Sequence, residues 1–265
     1  MKIIFIGDLV GKNARNQLIK KLPEIKKTYN PDAIVCNAEN AAAGYGLTKN
    51  IALELFDKGI DIITLGNHSW DQKEMLSFIE ECPKIIRPLN YPQGVPGKGY
   101  YELNLLDGRK LIVVQLMLRL FMGISLDDPF ASIKNFLKKN KLGSNCNCIL
   151  LDIHGETTSE KNAIAHYIDG EVTAVLGTHT HIPTTDARIL PNGTAYQTDI
   201  GMCGDYNSVI GMNKENSLNK FLKKDAIKHF PATGEASLCG LILDANKKTG
   251  LADKIESFIF GGDLI

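Results

Sequence analysis

No apolar run in this chain approaches the roughly 20 residues that a membrane-spanning helix needs. Nor does a basic segment lead into a hydrophobic one at the N-terminus, where Met1 to Val10 reads as a strand. Charge of one sign is not in excess. Thirty Lys and Arg face thirty Asp and Glu, a formal net charge of zero, which excludes a protein built to coat a polyanion and makes stable nucleic-acid binding an unfavoured expectation. There is no linker, no low-complexity tract and no break in composition, so residues 1–265 are expected to form a single domain. Paired cysteines are scarce too. Of the six, only Cys146 and Cys148 are closely spaced, and a zinc site wants longer spacings and a second pair. Four of the thiols lie in or beside apolar runs, where free cysteine acts as a small hydrophobe. These absences together predict a reduced, cytoplasmic protein without a membrane partner.

What is present is an alternation. Apolar runs of four to seven residues alternate with amphipathic stretches of 10 to 15, the pattern of strand–helix units and an α/β fold. Thr48 opens a helix that Gly59 closes. Ser69-x-x-Gln72 and Thr157-x-x-Glu160 read as capping boxes, with Gly170 stopping the second helix. The stretch Arg87–Gly99, with three prolines and three glycines, is a loop. Ala195–Thr198, Ser237–Ala245 and Lys254–Phe260 look like strands, with a turn at Asn246–Gly250.

Short polar clusters follow several of the apolar runs. Gly7-Asp8 comes after Lys2–Ile6, Asn37 to Asn40 after Ala33–Cys36, Gly66-Asn67-His68 after Ile60–Leu65, and Gly177 to His181 after Val172–Leu176. His154 ends the run from Cys148. In a parallel or mixed sheet ligands bind beyond the carboxyl ends of the strands, which is where Asp8, Glu39, Asn67, His154, His179 and His181 fall. Carboxylates, amide oxygens and imidazoles without a thiolate suit two divalent ions of the Fe, Mn or Zn kind. Each residue has a plainer reading: a turn for Asp8, helix capping for Asn67-His68, a satisfied core histidine for His154. Glu39 has none, because burying a lone carboxylate is expensive. His179-x-His181 would place two imidazoles on one side of an extended segment.

The motifs GD (7–8), NAEN (37–40), GNHSWD (66–71), DIHGETTSEK (152–161) and GTHTHIPTTDARILPNGTAYQTDIGM (177–202) resemble the calcineurin-like metallophosphoesterase superfamily, and within it the YmdB-type phosphodiesterase branch. The superfamily usually has Asp-x-His in its first block, where Val10 stands here, and a bridging Asp where Glu39 stands. The resemblance implies a sandwich of mixed β-sheets flanked by helices. It implies that Asp8, Glu39, Asn40 and His181 hold one metal and Glu39, Asn67, His154 and His179 the other, with Fe ranked above Mn and Zn. It makes His68 the proton donor rather than a ligand. Two positions depart from the expected pattern: Gly155, where the branch often has Ala, and Leu118, where Gly is usual.

The activity implied is hydrolysis of cyclic nucleotide monophosphates, 2′,3′ or 3′,5′, by a two-metal-activated hydroxide, with His68 protonating the leaving oxygen. Alternatives are an RNA phosphodiesterase or phosphomonoesterase, and a metal-bound nucleotide sensor with little turnover. Related proteins often self-associate, which leaves a homo-oligomer open; no heptad or apolar stripe in the sequence identifies a surface for it. Asp71 either orients His68 or favours a helix dipole. Arg188 either neutralises phosphate or pairs with Asp186. The lysine clusters Lys134–Lys141 and Lys214–Lys228 read as solvated helix faces, and Asp152 and Glu156 flank His154 without an assigned role.

Overall fold

Alternate residues of the central strands are committed to different layers. In Lys2–Ile6 (β1), Ile4 and Ile6 pack beneath helices while Ile3 and Phe5 face a second sheet. The same split runs through Lys110–Met117 and Cys148–His154, where odd and even positions enter opposite cores. A strand that is apolar on both faces must be covered on both, and this one sequence property dictates a helix–sheet–sheet–helix stack.

The computed structural model describes residues 1–222 and 229–264. After β1 come β2 (Asp8–Leu9), α1 (Gly11–Tyr29), β3 (Ala33–Asn37), α2 (Lys49–Lys58), β4 (Ile62–Thr64), α3 (Met75–Glu81) and β5 (Ile85–Ile86). The chain continues through β6 (Tyr100–Asn104), β7 (Lys110–Met117), α4 (Pro129–Lys139), β8 (Cys148–His154), α5 (Thr158–Tyr167) and β9 (Ala174–Thr178). It ends with β10 (Arg188–Ile189), β11 (Ala195–Gln197), β12 (Met202–Asp205), α6 (Lys214–Phe221), β13 (Ala236–Ala245) and β14 (Ala252–Phe260). One sheet has the order β2-β12-β13-β1-β3-β4-β5, with β14 also pairing β13, and the other β10-β11-β9-β8-β7-β6. The strands that lead into the polar clusters run parallel: β1, β3 and β4 in the first sheet, β8 and β9 in the second. Their carboxyl ends therefore open on one side of the stack.

This is the sandwich of mixed sheets flanked by helices that the motif resemblance implies. No described helix is long and apolar enough to cross a membrane. Thr48 caps α2 by accepting from the Ile51 N–H, and Gly59 ends it at φ +96°. The two capping boxes do not form. The Ser69 hydroxyl donates to the Gly66 carbonyl and Gln72 donates to that of Tyr45, so the helix starts only at Met75. Glu160 accepts instead from the Arg119 and Leu120 N–H groups. In both cases a tertiary partner outcompeted the local one. Lys138 and Lys139 are exposed on α4, as Lys214 and Lys220 are on α6; residues 223–228 of that second lysine cluster lie outside the described residues.

Candidate active site

Glu39 sits just past β3, only 1% exposed. The Asn37 side chain holds the turn that places it, accepting from the Glu39 N–H at 3.1 Å and donating to the Leu65 carbonyl. Gly66, after β4, leaves room for it: a β-carbon there would run into Glu39 Oε2 and lie 2.6 Å from the His154 ring. Glycine is thus the residue that lets two strand ends from different sheets close on each other.

The His154 ring is fully buried, and a relay sets its tautomer. Thr178 Oγ1 donates to Asp152 Oδ1 at 2.7 Å, so it accepts from His154 Nδ1 at 2.9 Å. Asp152, unassigned from sequence, is in turn held by the side-chain amides of Gln115 and Asn37. The Nε2 edge then faces Glu39 Oε1 at 3.0 Å, Asn67 Oδ1 at 2.8 Å and His179 Nδ1 at 3.1 Å. The other nitrogen of His179 lies 3.3 Å from Glu156, which orients Nδ1 inward. Four groups rich in lone pairs thus converge with no obligatory hydrogen among them. Such a knot repels itself unless a positive charge sits within it, and histidine ligands are oriented by outer partners of this kind.

The protonation equilibria say the same. Burial would lower His154, but Glu39 outweighs it and carries the imidazole up to about 8. Burial would raise Glu39, yet His154 draws it down to about 2. Burial and the neighbouring His154 push His179 down to about 3, so it stays neutral. A proton on His154 does part of what a metal cation would do here.

The remaining candidates lie outside that tight group but reach it with unspent acceptors. Asp8 Oδ2 accepts from the His179 N–H at 3.2 Å, while its Oδ1 is buried without a partner among the described residues. Burial first, then Asp199, holds the Asp8 carboxyl well above its usual range. Asn40 donates to the Gly44 carbonyl and leaves its Oδ1 buried and, among the described residues, unpaired. His181 donates from Nδ1 to the Ile210 carbonyl at 2.8 Å, which frees Nε2. Two orphaned buried oxygens are costly in a folded protein; facing a cation they would be satisfied. The donor set fits divalent metal.

Among the described His, Cys, Asp and Glu residues, the group close enough to share an ion is Glu39, His154 and His179, with donor atoms within 4.8 Å of one another. Cys146 and Cys148 are free, buried thiols apart from it. The extended segment expected at 179–181 is not there. β9 stops at Thr178, and both histidines take left-handed backbone, φ +96° and +66°. Asp8 and Asp199 accept the N–H groups of His179 and Thr180, and these bonds hold a conformation that non-glycine residues resist.

His68 stands at the rim. Its backbone N–H donates to Glu39 Oε2 at 2.9 Å, its Nδ1 lies 2.7 Å from Asp71 Oδ2, and its ring meets the edge of Tyr45. Asp71 therefore orients His68, and the helix-dipole reading fails because the helix begins only at Met75. Arg188 is taken: it pairs with Asp186 at 3.0 Å and lies over the Tyr196 ring. The two departures from the expected pattern are spatial partners. A β-carbon on Gly155 would come 2.6 Å from the Leu118 β-carbon. Sequence reasoning missed Lys161, whose fully buried ammonium donates to the Thr178 carbonyl and to Asp199 beneath the histidine loop. No local signal announces a contact between residues 38 positions apart.

A two-sheet α/β sandwich with imidazoles, amides and carboxylates gathered beyond its parallel strands has the fold of the metallophosphoesterase type, a class of phosphoric ester hydrolases. Within that class the chain belongs to the YmdB-like protein family, whose profile matches residues 4–258. It is 42% identical over 265 residues to a 2′,3′-cyclic-nucleotide 2′-phosphodiesterase of Bacillus subtilis, covering 99% of this chain and 98% of that one. A solved Thermus thermophilus protein, described as hypothetical, superposes with a TM-score of 0.91 at 41% identity, covering 98% of this chain and 99% of that one. A phosphatase of Mycoplasma pneumoniae superposes equally well, TM-score 0.91 at 34% identity, covering 98% and 93% of the two chains.

Proposed function

We propose that this chain is a divalent-metal-dependent phosphodiesterase that opens nucleoside 2′,3′-cyclic monophosphates. The observation that carries the reading is the placement of His68 at the rim of the lone-pair cluster, tied to Glu39 through its backbone and to Asp71 through its ring. A sensor needs no such group, whereas a diesterase needs a proton at the departing sugar oxygen. The name of the Bacillus subtilis relative supplies the 2′,3′ ring; no observation favours the 3′,5′ isomer.

Asp8, Glu39, Asn40 and His181 would hold one ion, and Glu39, Asn67, His154 and His179 a second, with Glu39 shared. Oxygen and imidazole donors without thiolate suit Fe, Mn or Zn, and the resemblance ranks Fe first. Bound metal at such a centre supplies charge to bind phosphate and lowers the pKa of water toward neutrality. The chain's own residues do the rest. Asp71 occupies Nδ1 of His68 and keeps the ring turned so that Nε2 is left to carry the mobile proton. Nε2 then passes that proton to the leaving alkoxide. Burial of Glu39, His154 and Asp8 keeps bulk water off the centre, so the charges there act undiluted.

The test is turnover of 2′,3′-cyclic AMP, 3′,5′-cyclic AMP, bis-p-nitrophenyl phosphate and p-nitrophenyl phosphate, with metal content measured on the same sample. The 2′,3′ ring should be hydrolysed best. His68→Ala should lose on the order of 10²–10⁴ in kcat while retaining its metal. Full metal loading with no turnover of any diester would overturn the reading.

A further inference from the structure

Beside the site lies a pocket that neither the metal centre nor the proton donor uses. It encloses about 200 Å³ and is lined by Tyr45, Ile210, Met212, Ser217, Phe221 and His229 among others. Two of its walls are shared with the site. Tyr45 presents its ring to His68, centroids 5.2 Å apart, and Ile210 accepts the His181 Nδ1 proton at its carbonyl. Ile210 is held at φ +48° in a tight turn closed by reciprocal Val209–Met212 hydrogen bonds. A β-branched residue in that conformation is strained, and strain of this kind collects where function needs a fixed shape. The turn orients a histidine on one side and walls the pocket on the other.

The lining has the chemistry of a base site. Phe221 is 77% exposed and Tyr45 37%, so aromatic surface stands open to the pocket's mouth. His229 adds an imidazole to this lining, a side chain that can meet the polar edge or the face of a heterocycle. The volume is below the roughly 300–1,000 Å³ of drug-sized ligand sites: room for one flat heterocycle, not for a polypeptide segment.

We infer that this pocket is the nucleobase subsite, taking the heteroaromatic base of a nucleotide whose phosphate lies in the adjoining centre. The inference rests on the proposed cyclic-nucleotide reading for its substrate, but base binding is measurable without turnover. His229→Ala and Phe221→Ala alter half-exposed or exposed side chains, and thermal melting checks that each variant folds. With 2′,3′-cyclic AMP, each should raise KM on the order of tenfold with kcat little changed. A base-free substrate, methyl ribofuranoside 2′,3′-cyclic phosphate, should be handled alike by variants and parent. Adenosine, titrated calorimetrically, should bind the parent and bind both variants on the order of tenfold more weakly. If adenosine binds in this pattern but no cyclic phosphate is hydrolysed, the subsite stands and the proposed reaction falls. If the base-free substrate suffers equally, or adenosine binding is absent or unaffected by either substitution, the subsite is wrong.

Discussion

A single methyl group separates the residue at 155 from the alanine its relatives' pattern leads one to expect, and Leu118 explains why it is missing. The leucine side chain, 1% exposed, occupies the space that the methyl would fill. Gly155→Ala alone should therefore overpack the strand end beside His154 and destabilise by about 1–3 kcal/mol. Leu118→Gly, which also removes the β-carbon that lies 2.6 Å from where that methyl would sit, should alone cost at least about 2–5 kcal/mol through the cavity it leaves. Combined, the two should cost clearly less than their sum, since the second change removes the obstacle created by the first. Urea unfolding of the three variants measures the coupling, and strict additivity would show that the two residues do not compete for space.

At the scale of elements, helix α5 and the loop after β9 are joined by Lys161 and Asp199, both fully buried and 2.8 Å apart. Lys161 also donates to the Thr178 carbonyl, and Asp199 accepts from the Thr180 and Gly201 N–H groups. The pair thus pins the loop that carries His179 and His181 in left-handed backbone. Lys161→Met should leave Asp199 buried and unpaired, a loss of about 3–5 kcal/mol, and should weaken metal retention more than a surface change of equal cost. Melting and equilibrium dialysis measure the two effects. A second tie crosses between the sheets: Arg109, before β7, grips Asp32, before β3, through two guanidinium bonds at 2.5 and 3.1 Å. Burial would raise Asp32, but the hydrogen bond from Arg109 and that from the Lys2 N–H overrule it and hold the carboxyl below its ordinary 3.8. A folded-state value below the unfolded one stabilises above the unfolded value, and that stabilisation drains away as pH falls through the folded one. Asp32→Asn should then melt below the parent near neutral pH, and the gap should narrow as pH falls below the ordinary carboxylate range. A gap that persists in acid would place the effect in packing rather than charge.

At the scale of the whole molecule, the two sheets share a core: Phe5 and Val35 of the first lie in one cluster with Leu111, Val113 and Leu150 of the second. We propose on that basis that the chain unfolds as one domain, because exposing either sheet exposes the face of the other. Thermal unfolding followed by circular dichroism and by calorimetry should show a single coincident transition. Divalent ions that bind only the folded chain should raise its midpoint, by an amount that grows with metal concentration. Two separated transitions would defeat the single-domain proposal, and a midpoint indifferent to Fe, Mn and Zn alike would defeat the metal centre.

Much of this was legible in the chain itself. The α/β class, the strand ends that carry Asp8, Glu39, Asn67, His154, His179 and His181, and the helix between Thr48 and Gly59 follow from apolar periodicity and local punctuation, which act over a few residues. Tertiary structure alone decided the rest. It turned Ser69, Gln72 and Glu160 from caps into tertiary contacts, bent the 179–181 segment out of the strand, joined Asp71 to His68 and Arg188 to Asp186, and set Lys161 under the histidine loop. The physical reason is range: periodicity shows which face of an element is buried, but a polar group takes whichever partner the packed fold brings nearest, and that partner is often far away in sequence.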